Sequence, residues 1–323
     1  MCDFGVKALE EKQIDVSVLM LTYYHENYIA QALDSVLSQK TNLCYEIIVG
    51  DDASGDRTQE IILEYAKKYP EIIKPVLREK NIGAMKNSED ITRRAKGKYV
   101  AHLEGDDYWL DENKMQKQFE LLEANPAYSA CCGKCLIVDE KGVPDYTQSP
   151  RFVDNKKIFT LEDHLMTWNL ASQVGSLMRR NNLGDNYFDS YSIHPIVGDK
   201  TQVLILLSHG PIYCSHEILS AYRRVTVKDG KNYFSQHYSN PYRDYDMFIY
   251  PCRLETWAKR RLGLDSKVHL GPRRDYRFCR FVEQTVHKPS LKNLSCLLQM
   301  IFVSHQPVKY FLMVFKAIIE MER

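Results

Sequence analysis

From Asp15 to Leu122 the chain repeats one pattern four times: a short apolar run, a polar loop, then apolar residues at helical spacing. The runs Asp15–Thr22, Tyr45–Gly50, Ile72–Leu77 and Lys98–Leu103 suit strands, the first apolar enough to be buried on both faces. Ile29, Ala32, Leu33, Val36 and Leu37 mark a helix over Tyr28–Gln39. Ile61, Ile62, Tyr65 and Ala66 mark a second, closed by Pro70, and a third runs over about Ala84–Ala95. Such alternation predicts an α/β fold, a parallel sheet flanked by helices. Right-handed crossovers then put every strand-end loop on one edge. Thr22–Glu26, Asp51–Asp56, Asn81–Gly83 and Glu104–Asp107 should therefore converge, just outside the carboxyl ends of the strands, where ligands collect in sheets of this kind.

Acids in the fourth loop narrow the chemistry. Glu104, Asp106 and Asp107 surround Gly105 directly after the apolar Tyr99–Leu103 run. Carboxylates crowded at a strand end repel one another and are usually kept ionised by a cation. Their hard oxygens favour Mg2+ or Mn2+, which in turn favours a phosphate-bearing substrate. A solvated acidic turn is the plain alternative on these residues alone. Neither G-x-G-x-x-G nor G-x-x-x-x-G-K-[ST] occurs, so a nucleotide site here would rest on a metal and side chains rather than a glycine cradle.

Composition removes other classes. With 323 residues, 44% hydrophobic and 26% charged, the chain is ordinary for a globular protein and is neither collagen-like, mucin-like nor disordered. No run of about 18 apolar residues predicts a membrane span, and Met1–Asp15 lacks an apolar signal-peptide core. Nine cysteines, odd in number and without a regular framework, fit reduced thiols in a cytosolic setting. Cys131-Cys132-Gly133-Lys134-Cys135 has no second Cys or His pair at zinc spacing, so buried thiols in a strand are expected there.

Five segments in a fixed order carry a resemblance: Leu21-Thr22-Tyr23-Tyr24-His25-Glu26, Val49-Gly50-Asp51-Asp52-Ala53-Ser54-Gly55-Asp56, Asn81-Ile82-Gly83 with Asn87, Gly97-Lys98-Tyr99, and Glu104-Gly105-Asp106-Asp107. The chain resembles a family 2 glycosyltransferase of the GT-A fold, closely over about Asp15 to Glu123 and more weakly to about Arg223. The resemblance implies that Thr22, Tyr23 and Glu26 line the nucleotide base and ribose, and that Asp51 and Asp52 bind the base, commonly uracil. It puts Asp106 at the metal-binding aspartate of the D-x-D motif, with Asp107 beside it. Glu104 replaces the first aspartate of that motif and is open between metal and ribose; Leu21 replaces the usual proline. For Asp51 and Asp52 a turn held by Asx hydrogen bonds is the alternative.

Further along, a helix is expected over Trp109–Leu122, a strand over Tyr128–Val138 and an irregular segment over Pro144–Lys157, placed near the acceptor. Asn169–Arg179 resembles the family's acceptor-side strand. Gly198-Asp199 opens a helix bearing Val203, Leu204, Leu206 and Leu207, with Ile212-Tyr213-Cys214 and Glu217–Arg223 after it. In the resemblance Asp199 matches the catalytic base; helix capping is the competing role for an aspartate at this position. Beyond Arg223 the pattern frays: relatives often carry a histidine where this chain has Arg224-Val225-Thr226, and His216 and His237 nearby read as structural. From Pro251 onward there are 14 basic and 6 acidic residues, against a net +1 for the whole chain. Lys259-Arg260-Arg261, Arg273-Arg274, Arg277 and Arg280 precede apolar helical residues over Leu294–Ile319, broken at Pro307. That combination suits either an anionic membrane surface or two helices packed on the main domain with a solvated basic face.

The resemblance thus implies an inverting, hexosyltransferase-type enzyme dependent on Mg2+ or Mn2+. It would move a sugar from a nucleoside diphosphate donor, UDP-linked by preference, to a hydroxyl of a glycan or lipid-linked acceptor in cell-surface polysaccharide or glycan biosynthesis. A GT-A domain is expected over 1–225, divided at about 110 into nucleotide-sugar and acceptor halves, followed by a basic, amphipathic helical extension over 226–323. The setting would be the cytoplasm, at the inner membrane face if the tail binds lipid. A sugar nucleotidyltransferase would need a glycine-rich basic loop after the first strand, which Thr22–Glu26 is not. A non-catalytic nucleotide-sugar or glycan binder would tolerate loss of Asp106 or Asp199. No nucleic-acid-binding module is visible.

Overall fold

The computed structural model describes residues 13–146, 157–171, 173–194, 198–225, 240–265, 268, 270 and 274–321. The start of the chain, most of the segment expected to be irregular, Thr226, His237 and Arg273 lie outside these residues. Strands β1 (Val16–Thr22), β2 (Tyr45–Asp51), β3 (Ile73–Leu77) and β4 (Tyr99–Glu104) alternate with helices α1 (Ile29–Leu37), α2 (Thr58–Lys68) and α3 (Ala84–Arg94), as the apolar spacing predicts. All three pairings among these strands are parallel, in the order β3-β2-β1-β4. Alternate residues of β1 face opposite layers. Val16, Val18 and Met20 meet Ile29, Leu33 and Val36 of α1, while Leu19 packs with Ile48, Val100 and Ile91 of α3. Gly97 enters β4 where a Cβ would lie 2.4 Å from the Ser17 backbone nitrogen, so the close approach of β1 requires glycine.

The second half adds β5 (Tyr108–Trp109), α4 (Lys114–Ala124), β6 (Ala130–Val138), β7 (Ile158–Phe159), α5 (Leu161–Thr167), β8 (Met178–Arg180), α6 (Gly184–Asp189), α7 (Asp199–His209) and β9 (Ile212–Arg223). Beyond β4 the sheet runs β8-β6-β9-β5, with β7 also paired to β9. Three expectations change here. Trp109 belongs to a strand, because its backbone and that of Leu110 pair with β9, and the helix starts only at Lys114. The Asn169–Arg179 stretch holds a 3-10 turn at Val174–Ser176 and only a short strand from Met178, its tight turn fixed by Ser176 N–H to the Gln173 carbonyl. The two segments expected after α7 are one 12-residue strand, β9. Cys131, Cys132 and Cys135 are buried thiols of β6.

Among the described residues four helices follow: α8 (Arg243–Arg261), α9 (Arg274–His287), α10 (Leu291–Val303) and α11 (Pro307–Met321). Pro307 occupies the first position of α11, where a missing N–H costs nothing. Phe248, Phe278, Phe281 and Met300 centre their shared core. Tyr250 of α8 ties this unit to α7, its hydroxyl 3.0 Å from the Thr201 nitrogen and 2.8 Å from Thr201 Oγ1. The basic run is not wholly a solvated face, since Arg274 is buried and paired with Glu255.

Candidate active site

The four strand-end loops converge, and hydrogen bonds show what ties them. Tyr24, at φ +58°, turns the first loop so that its N–H reaches Ser54 Oγ at 2.8 Å. His25 N–H donates to Thr58 Oγ1 at 2.9 Å, and Glu26 Oε2 accepts from Arg57 N–H at 3.0 Å. Asp51 is fully buried and accepts from Ser54 N–H at 3.0 Å and Gln59 Nε2 at 2.6 Å. Its carboxylate holds the turn. Asp52 instead reaches the third loop, accepting from Ile82 N–H at 2.8 Å and Gly83 N–H at 2.9 Å. Tyr23 stands against this pair, its phenol raised by burial and then by Tyr24 and Asp52. The fourth loop is anchored by Gly105 N–H on the Leu21 carbonyl at 2.7 Å. A Cβ on Gly105 would meet His25 Nδ1 and Thr22 Cβ at 2.9 Å.

Glu104, Asp106 and Asp107 bring carboxylate oxygens within 4.8 Å of one another. Glu104 reaches solvent at the floor of the cleft but has protein packed closely around it. That desolvation, followed by the charges of Asp106 and Asp199, pushes its carboxyl up to about 8. Asp107 is buried and is raised for the same first reason, then by Asp106 and Glu104. Two of these crowded oxygen donors, Glu104 and Asp107, resist ionisation, and a hard divalent cation would relieve the set, so the residues fit Mg2+ or Mn2+. His25 Nε2 lies 3.7 Å from Asp106 Oδ2.

Asp199 arrives from the other half of the sheet. Gly198 packs so tightly on Met85 of α3 that a Cβ there would stand 2.8 Å from Met85 Cε, which seats the start of α7 beside the α3 end of the cleft. Asp199 is solvent-exposed at the helix start, within the field of Glu104. Its carboxyl is raised by desolvation and lowered by Lys200. Lys200 is held away by the Trp168 carbonyl and lies 4.6 Å over the Trp168 ring.

The family described as Glycosyl transferase family 2 matches residues 17–182, half of the chain, and so includes every loop just described except that of Asp199. The chain belongs to glycosyl transferase family 2. An uncharacterized protein of Mycobacterium tuberculosis is 35% identical over 171 residues, 53% of this chain and 45% of that protein. A Bacillus subtilis protein provisionally named as a teichuronic acid biosynthesis glycosyltransferase, TuaG, is 33% identical over 150 residues, 46% of this chain and 56% of its own length. The chain thus spans about half the length of these curated relatives. Among solved structures, S. aureus TarS 1-349 in complex with UDP-GlcNAc superposes with a TM-score of 0.65 at 15% identity, covering 95% of this chain and 92% of that one. A mannosyltransferase from Pyrobaculum calidifontis in complex with GDP-Man and Mn2+ reaches 0.53 at 17% identity, covering 95% and 81%. At these identities the structural likeness shows the fold, a GT-A sheet with C-terminal helices.

Sequence reasoning missed Arg223 as the residue that secures the acidic loop. Its backbone N–H donates to Asp107 Oδ1 at 2.7 Å and its Nε to the Asp106 carbonyl at 2.8 Å. Nη1 reaches the Glu140 carbonyl at 2.9 Å, Nη2 reaches Gln31 Oε1 at 2.7 Å, and the guanidinium lies 4.6 Å over the Tyr28 ring. The only sequence signal was its position at the end of the Tyr-Arg pair. Tyr222 is a second omission: burial and then the fields of Glu104, Asp107 and Asp106 push its phenol up.

Proposed function

We propose that this family member is an inverting glycosyltransferase that moves a sugar from a nucleoside diphosphate donor, by preference UDP-linked, to an acceptor hydroxyl. The observation that carries the reading is the placing of Asp199, exposed at the start of α7, where Gly198 packs on Met85 of α3, on the side of the acidic cluster at the end of β4. A transferase of this kind needs two groups of opposite duty on either side of one anomeric carbon, and the arrangement supports assigning those duties to the acidic cluster and to Asp199. Asp106 and Asp107, with Glu104 next to them, would hold Mg2+ or Mn2+. When bound, the cation neutralises charge that develops on the departing diphosphate.

The chain's own residues do the rest. In this reading Thr22, Tyr23 and Glu26 would line the base and ribose. Asp52 would contact the base through lone pairs left free on its oxygens, while Asp51 holds the loop that presents it. Thr22 Oγ1 is buried without a hydrogen-bond partner among the described residues, which supports a role toward ligand. The acceptor oxygen attacks the anomeric carbon as the bond from that carbon to the diphosphate breaks, the electron pair leaving with the phosphate oxygen. The acceptor proton passes to a carboxylate oxygen of Asp199, whose raised affinity for protons suits a general base. One displacement inverts the centre, as in inverting glycosidases.

The acceptor would be a glycan or lipid-linked glycan of cell-surface polysaccharide biosynthesis, met on the cytoplasmic side; the name of the Bacillus subtilis relative, which speaks of teichuronic acid biosynthesis, supports the polysaccharide part of that setting. The expected division into a transferase domain over 1–225 and a helical extension is compatible with the separate core of α8 to α11. The test is a screen of nucleotide sugars for cation-dependent release of nucleoside diphosphate, with oligosaccharide and lipid-linked acceptors. Asp199→Asn should abolish transfer and leave donor binding nearly intact, whereas Asp106→Ala should weaken cation-dependent donor binding. Equal loss of donor binding in both would remove Asp199 from the role of base. No turnover or binding of any donor, with no response to EDTA, would remove the enzyme reading.

A further inference from the structure

The last two helices each bury one apolar stripe and expose another. Cys296, Leu297, Met300 and Ile301 of α10, with Tyr310 of α11, join the core made with α8 and α9. On the outward side Leu291, Leu298 and Phe302 of α10 and Val308, Phe311 and Phe315 of α11 are each 53–89% exposed. Single exposed apolar residues need no explanation, but a series recurring along two consecutive helices does. Charge in this region is predominantly basic. From Lys288 to Ala317 the chain carries Lys288, Lys292, Lys309 and Lys316 and no aspartate or glutamate. Asp275 of α9 is taken up by Lys309 at 2.7 Å.

We propose that the outward face of α10 and α11 docks in the plane of an anionic lipid surface. Apolar side chains would enter the acyl boundary, and the lysines would meet the headgroups. The helices have 13 and 15 residues, and no described helix is long and apolar enough to cross a membrane, so they lie on the surface rather than span it. A second copy of the chain fits this face poorly: the same face from two copies would set Lys288, Lys292, Lys309 and Lys316 against their own kind, with no acid between Lys288 and Ala317 to receive them. The docking is independent of which sugar or acceptor the cleft takes.

Co-sedimentation of the full chain with vesicles tests it. Phosphatidylcholine vesicles containing about 30% phosphatidylglycerol should pellet the protein, less as NaCl is raised, and phosphatidylcholine alone should not. Phe302→Glu with Phe311→Glu should lower the bound fraction about tenfold without changing thermal unfolding, since both side chains are more than half exposed. Three results would overturn the proposal: no pelleting with the anionic vesicles, equal pelleting with both compositions, or no effect of the double substitution. A dimer seen by light scattering that the same substitutions dissociate would assign the face to a second copy instead.

Discussion

Arg223→Lys is the most informative single change, because it keeps the charge and removes the fork. The arginine is buried, and its guanidinium donates to the carbonyls of Asp106, Glu140 and Asp139 at 2.8, 2.9 and 3.3 Å and to Gln31 Oε1 at 2.7 Å. Those acceptors surround it, and one ammonium can serve only one side. Losing three hydrogen bonds at about 1 kcal/mol net each gives about 3 kcal/mol, a large share of a total that rarely exceeds about 15 kcal/mol. With a urea dependence of about 3 kcal/mol per molar, the midpoint should fall by about 1 M. Asp107 keeps its bond from the residue 223 N–H, which any side chain preserves. The damage should therefore centre on Asp106, and Mn2+ affinity should drop with the midpoint. Urea unfolding followed by tryptophan fluorescence measures the first effect and calorimetric titration the second. A midpoint within about 0.2 M of the parent would show that the arginine fork does not hold the acidic loop.

Three further outcomes follow from particular contacts. Gly105→Ala should abolish cation-dependent donor binding at a stability cost of about 1–3 kcal/mol, because the new methyl meets Thr22 and His25; binding assays and thermal unfolding separate the two effects. Mn2+ affinity should tighten as pH rises from 6 and level off above about 8, since burial pushes the Glu104 carboxyl up to about 8 and its ionised form adds negative charge beside Asp106 and Asp107; calorimetry in buffers of different ionisation enthalpy should detect proton release. His102 is buried, and desolvation followed by the Arg179 charge lowers it to about 3. Its unfolded value is higher, so stability is full above about 6.5 and is lost as pH falls toward about 3, by about 1.4 kcal/mol per unit at most. His102→Gln should flatten that acid limb in unfolding measured between pH 4 and 7.

The parallel half was legible because its signals are local. Each strand, loop and helix of β1 to β4 is announced within about 30 residues, and crossover handedness then places the loops. The mixed half was not. Two-residue strands such as Tyr108–Trp109 carry no periodicity, and this one exists because β9, more than a hundred residues later, pairs with it. Trp109 was read as helical for that reason. Asp199 could be marked from the resemblance, but its approach to Glu104 depends on Gly198 packing against Met85, a tertiary fact. Likewise nothing near Arg223 in sequence announces Asp106. The paired aspartates looked equivalent, and only their partners separate them: Asp51 turns inward to Gln59 and Asp52 across to Gly83.

The strand order sets a geometric demand on the acidic loop. β4 and β5 are joined by only three residues, Gly105 to Asp107, yet β8, β6 and β9 stand between them in the sheet. In a flat sheet the four steps from β4 to β5 would cover about 19 Å, while four residues of extended chain reach only about 14 Å. The sheet must therefore curl back on itself, with Gly105–Asp107 as the clasp that closes the curve. The turn at Val174–Ser176 fills the hollow, its Gly175 carbonyl accepting from Trp109 Nε1 at 2.8 Å. Asp106 and Asp107 thus sit on a segment under a tight length constraint, directly after Glu104 at the end of β4. Inserting one residue between β4 and β5 would therefore relax the curvature of the second half as well as move the acids.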